Sequence, residues 1–489
     1  MSAPIHNPWR TWWRSLAGRL LPGALAAAGW LLSLPALHAG SEAPERPNIL
    51  FIFADDLSYE MVHALGNERI LTPNLDRLAE GGMVFTHAFN MGSWSGAVCI
   101  ASRTMLNTGR FVWRAEKVDR TCERERKAGR FWSEYLKAAG YETYMSGKWH
   151  VKANAELAFD HTAHIRPGMP KDTPEGYNRP IEGKPDPWSP YDPKFGGFWE
   201  GGRHWSEVLA DDAEKFLQHA SKSDKPFFMY LAFNASHDPR QSPKEYVDLY
   251  PPETMPLPRN FLAEYPYQND IGCGPKLRDE RLAPFPRTPY AVRVHRQEYH
   301  AITTHMDTQI GRILEALRAT GQDRNTWIFF TADHGLAVGH HGLMGKQNQY
   351  DHSIRVPLFV VGPGVPKGVR IDAPVYLQDI MPTTLELAGV TPGDHVEFHS
   401  LMPFIRGERR DSFYPEIYGA YLKLQRMIRA GDWKLILYPA IGKARLYNLR
   451  EDPDEMRDLA DDPAQQPRLK RLFARFLELA KAMDDPLDL

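Results

Sequence analysis

The sequence places one of its three cysteines, several histidines and lysines, an acidic pair and an Asp-His pair in settings where such groups could do chemistry together. Cys99 lies in the run Ser95-Gly-Ala-Val-Cys-Ile-Ala-Ser-Arg-Thr-Met-Leu-Asn-Thr-Gly-Arg110. An isolated cysteine is most often a small buried apolar residue. Here Arg103 follows four positions later, which on a helix is one turn away on the same face. Asp55-Asp56 are adjacent carboxylates that repel each other, so a strand end holding both calls for a cation or a cap. Lys148, His150, His237, Asp333, His334 and Lys346 are the other candidates. Each alone is an ordinary capping, structural or solvated group. Gathered behind a series of strands, they become one site.

The elements that must position them can be read from hydrophobic runs. Pro47 to Ala54 is a continuous apolar stretch ending at Asp55, the pattern of a strand buried on both faces. Comparable runs cover Pro226 to Phe233, Thr326 to Thr331 and Val356 to Val361. Between them, helical periodicity spans Thr72 to Glu80, Arg130 to Ala139, Ser206 to Ala220 and Ala291 to Arg318. The alternation predicts an α/β fold: a mainly parallel or mixed central sheet sandwiched by helices. Ligand sites in such sheets lie outside the carboxyl ends of the strands. Asp55 and Asp56 follow one strand, His237 another, and Asp333 and His334 a third. Beyond about Arg406, short strands at Lys423 to Arg429, Trp433 to Tyr438 and Ala444 to Leu449 precede a helix from Arg468 to Met483. They predict a smaller C-terminal antiparallel α+β domain. The stretches His164 to Gly197 and Pro239 to Pro289 lack periodicity and read as long loops that shape a cleft.

The chain has 489 residues, 59 Lys and Arg against 61 Asp and Glu, and 43% hydrophobic residues. This balance supports a large core and offers no argument for nucleic acid as a partner. At the N-terminus, Arg10, Arg14 and Arg19 precede an apolar run from Leu20 to Leu37, then Leu37-His38-Ala39. Basic, apolar, then small is the order of a secretory signal. The expected organisation is therefore a signal peptide over 1–39, a catalytic domain over 45–405 and a small subdomain over 406–489. The protein is expected to be exported, periplasmic or secreted, without stable membrane insertion. With Cys99 set aside, Cys122 and Cys273 either form one disulfide or stay free.

The Cys99 segment, with Ser102 and Arg103 and the closing Thr108-Gly109, resembles the modification signature of the type I sulfatases, of the alkaline phosphatase-like superfamily. The resemblance extends from about Pro47 to Leu459 through Asp55-Asp56, Ser146-Gly-Lys-Trp-His150, Asn234-Ala-Ser-His237, Asp333-His334-Gly335 and Gly345-Lys-Gln. It implies that Cys99 is oxidised to formylglycine, whose hydrate attacks the sulfur of a sulfate ester. It implies a metal site of Asp55, Asp56, Asp333 and His334, with residue 99 as a further ligand. Three acids and an imidazole make a hard cage suited to calcium, with other divalent ions open to it. Arg103 would hold the hydrate, Lys148 and Lys346 the sulfate, His150 would take a proton from the nucleophile, and His237 would protonate the leaving oxygen. A formylglycine-generating enzyme is the implied maturation partner. The sequence departs from the family at Ala101, where proline is usual.

A sulfated carbohydrate is the expected substrate, with Trp188, Trp199 and Trp205 offering faces for sugar stacking. Two alternatives stand beside this reading. One is a phosphoester or phosphonate hydrolase of the same superfamily. The other is a non-catalytic glycan-binding relative in which Cys99 is never oxidised.

Overall fold

A computed structural model describes residues 46–487; the expected signal peptide lies outside them. The first apolar run forms β1 (Asn48–Ala54), every residue of which is buried. Its neighbours in the central sheet are β2 (Met83–Phe85), β3 (Glu142–Lys148), β4 (His161–Arg166), β5 (Phe227–Ala232), β6 (Thr326–Ala332), β7 (Leu358–Val361) and β8 (Val369–Ile371). The strand order is β8-β2-β7-β6-β1-β5-β3-β4. From β6 to β4 all pairings are parallel, whereas β7 runs antiparallel to both β6 and β2. The sheet is mixed, and its adjacent parallel strands β6, β1 and β5 carry continuous apolar runs, as burial on both faces requires.

The expected strand from Val356 to Val361 is divided. Arg355–Val356 pairs with Ala88–Phe89 in a separate three-stranded sheet, and only Leu358–Val361 enters the central one. Pro357 lies between them, and without an N–H it cannot continue a ladder. Two strands had no apolar run to mark them. β3 reads Glu-Thr-Tyr-Met-Ser-Gly-Lys, and β4, half exposed at the sheet edge, occupies the start of what reads as a loop at His164.

Helices cover both faces. Trp132, in the helix Trp132–Ala138, sits edge-on to Phe51 with ring centroids 5.0 Å apart and 4.8 Å from Phe228. The helix Val98–Thr108 packs beside it and lays the Arg103 guanidinium over the Phe53 ring at 4.6 Å. The helices Pro73–Gly81, Trp205–Ala220 and Pro289–Ala319 pack together as a second layer.

The C-terminal region forms a five-stranded sheet. Ile417–Tyr421, Gln425–Ala430, Trp433–Tyr438 and Lys443–Asn448 run antiparallel, with the helix Gln466–Ala482 packed on them. The fifth strand, Gly92–Ser93, comes from just before Cys99 and pairs parallel to Ile417–Tyr421. The segment leading into the Cys99 helix is therefore fixed by the last sheet of the chain. Cys122 and Cys273 are separate buried thiols. Among the described residues, no helix is long and apolar enough to cross a membrane.

Candidate active site

Four adjacent parallel strands, β6, β1, β5 and β3, end side by side and deliver the ionisable residues. Ala54 pairs with Ala332, so Asp55 and Asp333 emerge together. The backbone ties these ends: Asp333 N donates to Ala54 O (3.2 Å), Asp55 N donates to Ala235 O (2.9 Å), and Asp56 N donates to Asp333 Oδ1 (3.2 Å). Asp56 and His150 adopt left-handed backbone angles, φ 60° and 51°. Such conformations concentrate at functional sites, where the surrounding structure holds them. Gly147 has φ 93°, and a Cβ there would meet Ala232 O at 1.9 Å. Only glycine lets β3 approach β5 closely enough to aim Lys148 inward.

Cys99 lies in the first turn of the helix Val98–Thr108, whose N-terminal end carries partial positive charge. Its Sγ is 3.2 Å from His334 Nε2 and 3.5 Å from Lys346 Nζ. Arg103, one turn on, donates from Nε to Asp333 Oδ2 at 3.0 Å and from Nη1 to Lys148 O at 2.7 Å, with Nη2 3.8 Å from Asp55 Oδ1. Lys148 Nζ donates to Asp55 Oδ2. Lys346 Nζ donates to both oxygens of Asp56 at 2.9 Å. His334 Nε2 is 3.2 Å from Asp56 Oδ1 and 3.5 Å from Asp333 Oδ1. His237 Nε2 is 3.9 Å from Asp56 Oδ2, while its Nδ1 is held by Asp238 O at 2.6 Å. The His150 imidazole lies close enough to Cys99 for each to influence the other's charge, and burial holds it below its ordinary range. All ten residues singled out in the sequence thus converge on one cluster, buried apart from the half-buried His150.

The electrostatics follow from burial. Burial raises the Asp55 carboxyl, and repulsion from Asp333 and Cys99 raises it further, so it stands well above the usual range despite Lys148. Burial would do the same to Asp333, but His334 and Arg103 hold it at about 2. Burial opposes charge on His334, yet Asp333 and Asp56 lift it to about 9. Burial also opposes charge on the two lysines; Asp55 and Cys99 keep Lys148 charged, and Asp56 and Cys99 keep Lys346 so. Burial would raise the Cys99 thiol, but Lys148, Lys346 and His334 bring it well below its ordinary value.

A divalent cation fits this donor set. Asp55 Oδ1 is buried with no hydrogen-bond partner. Ligand atoms of Asp55, Cys99, Asp333 and His334 lie within 4.8 Å of one another, as do those of Asp55, Asp56, Cys99 and His237. Like-charged carboxylates drawn together in a buried site are relieved by a metal ion.

Three supporting residues escaped sequence reasoning. Gln347 Nε2 donates to Asp279 Oδ2 at 2.6 Å, its Oε1 accepts from Lys346 N at 3.0 Å, and Asp279 is 3.9 Å from Lys346 Nζ. Asp279 comes from the aperiodic stretch Pro239 to Pro289, which carries no pattern to mark it; Gln347 adjoins Lys346 in a segment already singled out. Gly168 faces His150, and a Cβ there would lie 2.4 Å from the imidazole ring. Of the three tryptophans, Trp188 is buried, while Trp199 and Trp205 are half-buried. Trp188 is 5% exposed and lies beside Phe195, Trp205 is covered by Arg166 at 4.3 Å, and Trp199 sits edge-on to His204.

Comparison with known proteins gives the class. Residues 47–390 match the sulfatase family, and residues 339–482 match the N-sulphoglucosamine sulphohydrolase C-terminal family. A sulfatase of Formosa agariphila is 30% identical over 459 residues, covering 88% of this chain and 86% of that protein. An N-acetylglucosamine-6-O-sulfatase of Bacteroides thetaiotaomicron is 26% identical, covering 93% and 91%. A phosphonate monoester hydrolase of Agrobacterium radiobacter shares the fold, with TM-score 0.69 and 21% identity over 90% of this chain and 96% of that one. The chain belongs to the sulfatase family, of the alkaline phosphatase-like superfamily. It is a hydrolase acting on sulfate esters.

Proposed function

We propose that this sulfatase is an exported enzyme that releases inorganic sulfate from a sulfated carbohydrate, with residue 99 as the nucleophile position. The observation that carries the reading is the placement of Cys99 in a helical first turn, with Lys346 Nζ at 3.5 Å and His334 Nε2 at 3.2 Å. Oxidation of Cys99 to formylglycine by a maturation enzyme would supply, as the hydrate, the nucleophile for sulfur. A calcium ion held by Asp55, Asp56, Asp333 and His334 would supply positive charge beside it.

The remaining work falls to side chains. Lys148 and Lys346 are fixed cations next to residue 99, and they counter charge that spreads over the sulfuryl oxygens in the transition state. Arg103, locked to Asp333 and to Lys148 O, keeps that wall in register. His150 stands beside residue 99 and takes a proton there. His237 has Nδ1 engaged by Asp238 O, so Nε2 is the nitrogen free to carry a proton to the leaving oxygen.

The carbohydrate reading is supported by relatives named an N-acetylglucosamine-6-O-sulfatase and an ulvan-active sulfatase, 26% and 27% identical. The test is sulfate release from sulfated oligosaccharides against a chromogenic aryl sulfate. Faster turnover of at least one sugar is expected; equal, low turnover of every sugar would contradict it. Cleavage of phosphate or phosphonate esters faster than any sulfate ester would favour the phosphoester alternative.

A further inference from the structure

At the other end of the sheet, a second group of ligands meets on the surface. Glu142 is the first residue of β3, His161 the first of β4, and His219 lies in the last turn of the helix Trp205–Ala220. One nitrogen from each imidazole and one Glu142 oxygen lie within 4.8 Å of one another. The active-site residues follow the carboxyl ends of the strands, whereas this group sits at their amino ends.

We propose that Glu142, His161 and His219 form a second metal site, which binds zinc and related late divalent ions. Two imidazoles and a carboxylate are a donor set zinc uses with a fourth position left to water. They are softer as a group than the three-acid cluster, which separates the ions the two sites favour.

The supports of the group are in place. His161 Nε2 is 2.8 Å from Glu142 Oε1, so carboxylate and imidazole already face each other. The second oxygen, Oε2, is buried and has no hydrogen-bond partner. The Tyr144 hydroxyl is 2.9 Å from His219 Nδ1, fixing that ring, and the Tyr144 ring stacks on His161 at 4.7 Å. The imidazole centroids are 4.6 Å apart. Hydrogen bonds of this kind orient metal-binding histidines. Because β3 and His161 of β4 are paired (Tyr144 opposite His161), bound zinc would join an edge strand, its neighbour and a helix end. The site therefore acts as a surface clamp remote from the catalytic chemistry.

The full-length protein, kept in excess calcium, is dialysed against Zn2+ and its metal content per chain measured. The wild type is expected to hold one zinc more than His219→Ala, and zinc is expected to raise the Tm of the wild type but not of that variant. Glu142→Gln, which keeps the shape but removes the charge, is expected to bind zinc more weakly. His219 is exposed, and without zinc the His219→Ala variant should retain the wild-type circular dichroism and sulfate-ester turnover. Equal zinc content and equal zinc-dependent Tm shifts in wild type and His219→Ala would overturn the proposal.

Discussion

Lys346 donates to both oxygens of Asp56 at 2.9 Å while its ammonium stands 3.5 Å from Cys99 Sγ. One side chain thus links the acid side of the cluster to the nucleophile position. Removing a single fixed donor from such a site costs about 100- to 1,000-fold in kcat. Lys346→Ala is expected to lose turnover on that scale, with Tm in calcium close to wild type. Steady-state sulfate release and a thermal melt check this. A loss of only a few-fold would remove Lys346 from the chemistry.

Gly168 is a quieter dependency. The space a Cβ would take is filled by the His150 ring, 2.4 Å away. Gly168→Ala is expected to displace His150 from Cys99 and lower kcat while leaving the unfolding midpoint nearly unchanged. The pH profile of kcat should change shape as well, which a general loss of packing would not produce. Wild-type kinetics in this variant would show that His150 has another way to its place.

The central four strands and the site residues at their ends were legible because burial on both faces writes a continuous apolar run, and polar residues that follow such runs stand out. β3 was not, although it carries Lys148: its small and polar residues serve the close approach to β5 and the cluster, so function erased the pattern. Arg355–Val356 and Leu358–Val361 read as one strand until Pro357 is given its due. The C-terminal hairpin partner Ile417–Tyr421 was missed, and nothing local signals that Gly92–Ser93 joins that sheet, since the pairing spans over 300 residues of chain. Asp279 shows the same limit, because a loop without periodicity gives no register from which to place a side chain.

Buried Asp379 gives a pH signature away from the active site. It accepts from Tyr376 N, His399 N and the Tyr414 hydroxyl, yet burial raises it to about 7. A carboxyl raised in the folded state holds more protons than in the unfolded chain, so stability falls as pH rises between its unfolded value near 3.8 and about 7. The slope from this group reaches up to about 1.4 kcal/mol per pH unit. Denaturant unfolding of wild type and Asp379→Asn at several pH values should show the wild type losing ground to the variant from about pH 4 to 7. A constant difference would contradict this.

Removal of metal should act on activity and stability together. Asp55, Asp56 and Asp333 are drawn into one buried cluster, and an ion bound only by the folded state stabilises it. Chelation is expected to abolish sulfate release and lower Tm, and calcium to restore both. Full activity after exhaustive chelation, with metal analysis showing none bound, would contradict the assigned ligand cage.

The most direct test reads residue 99 itself. The tryptic peptide Leu78–Arg103 from active protein, made with its maturation system, should carry an aldehyde in place of the Cys99 thiol when examined by mass spectrometry. The aldehyde fraction should rise and fall with specific activity across preparations. An intact thiol in fully active protein would contradict the account.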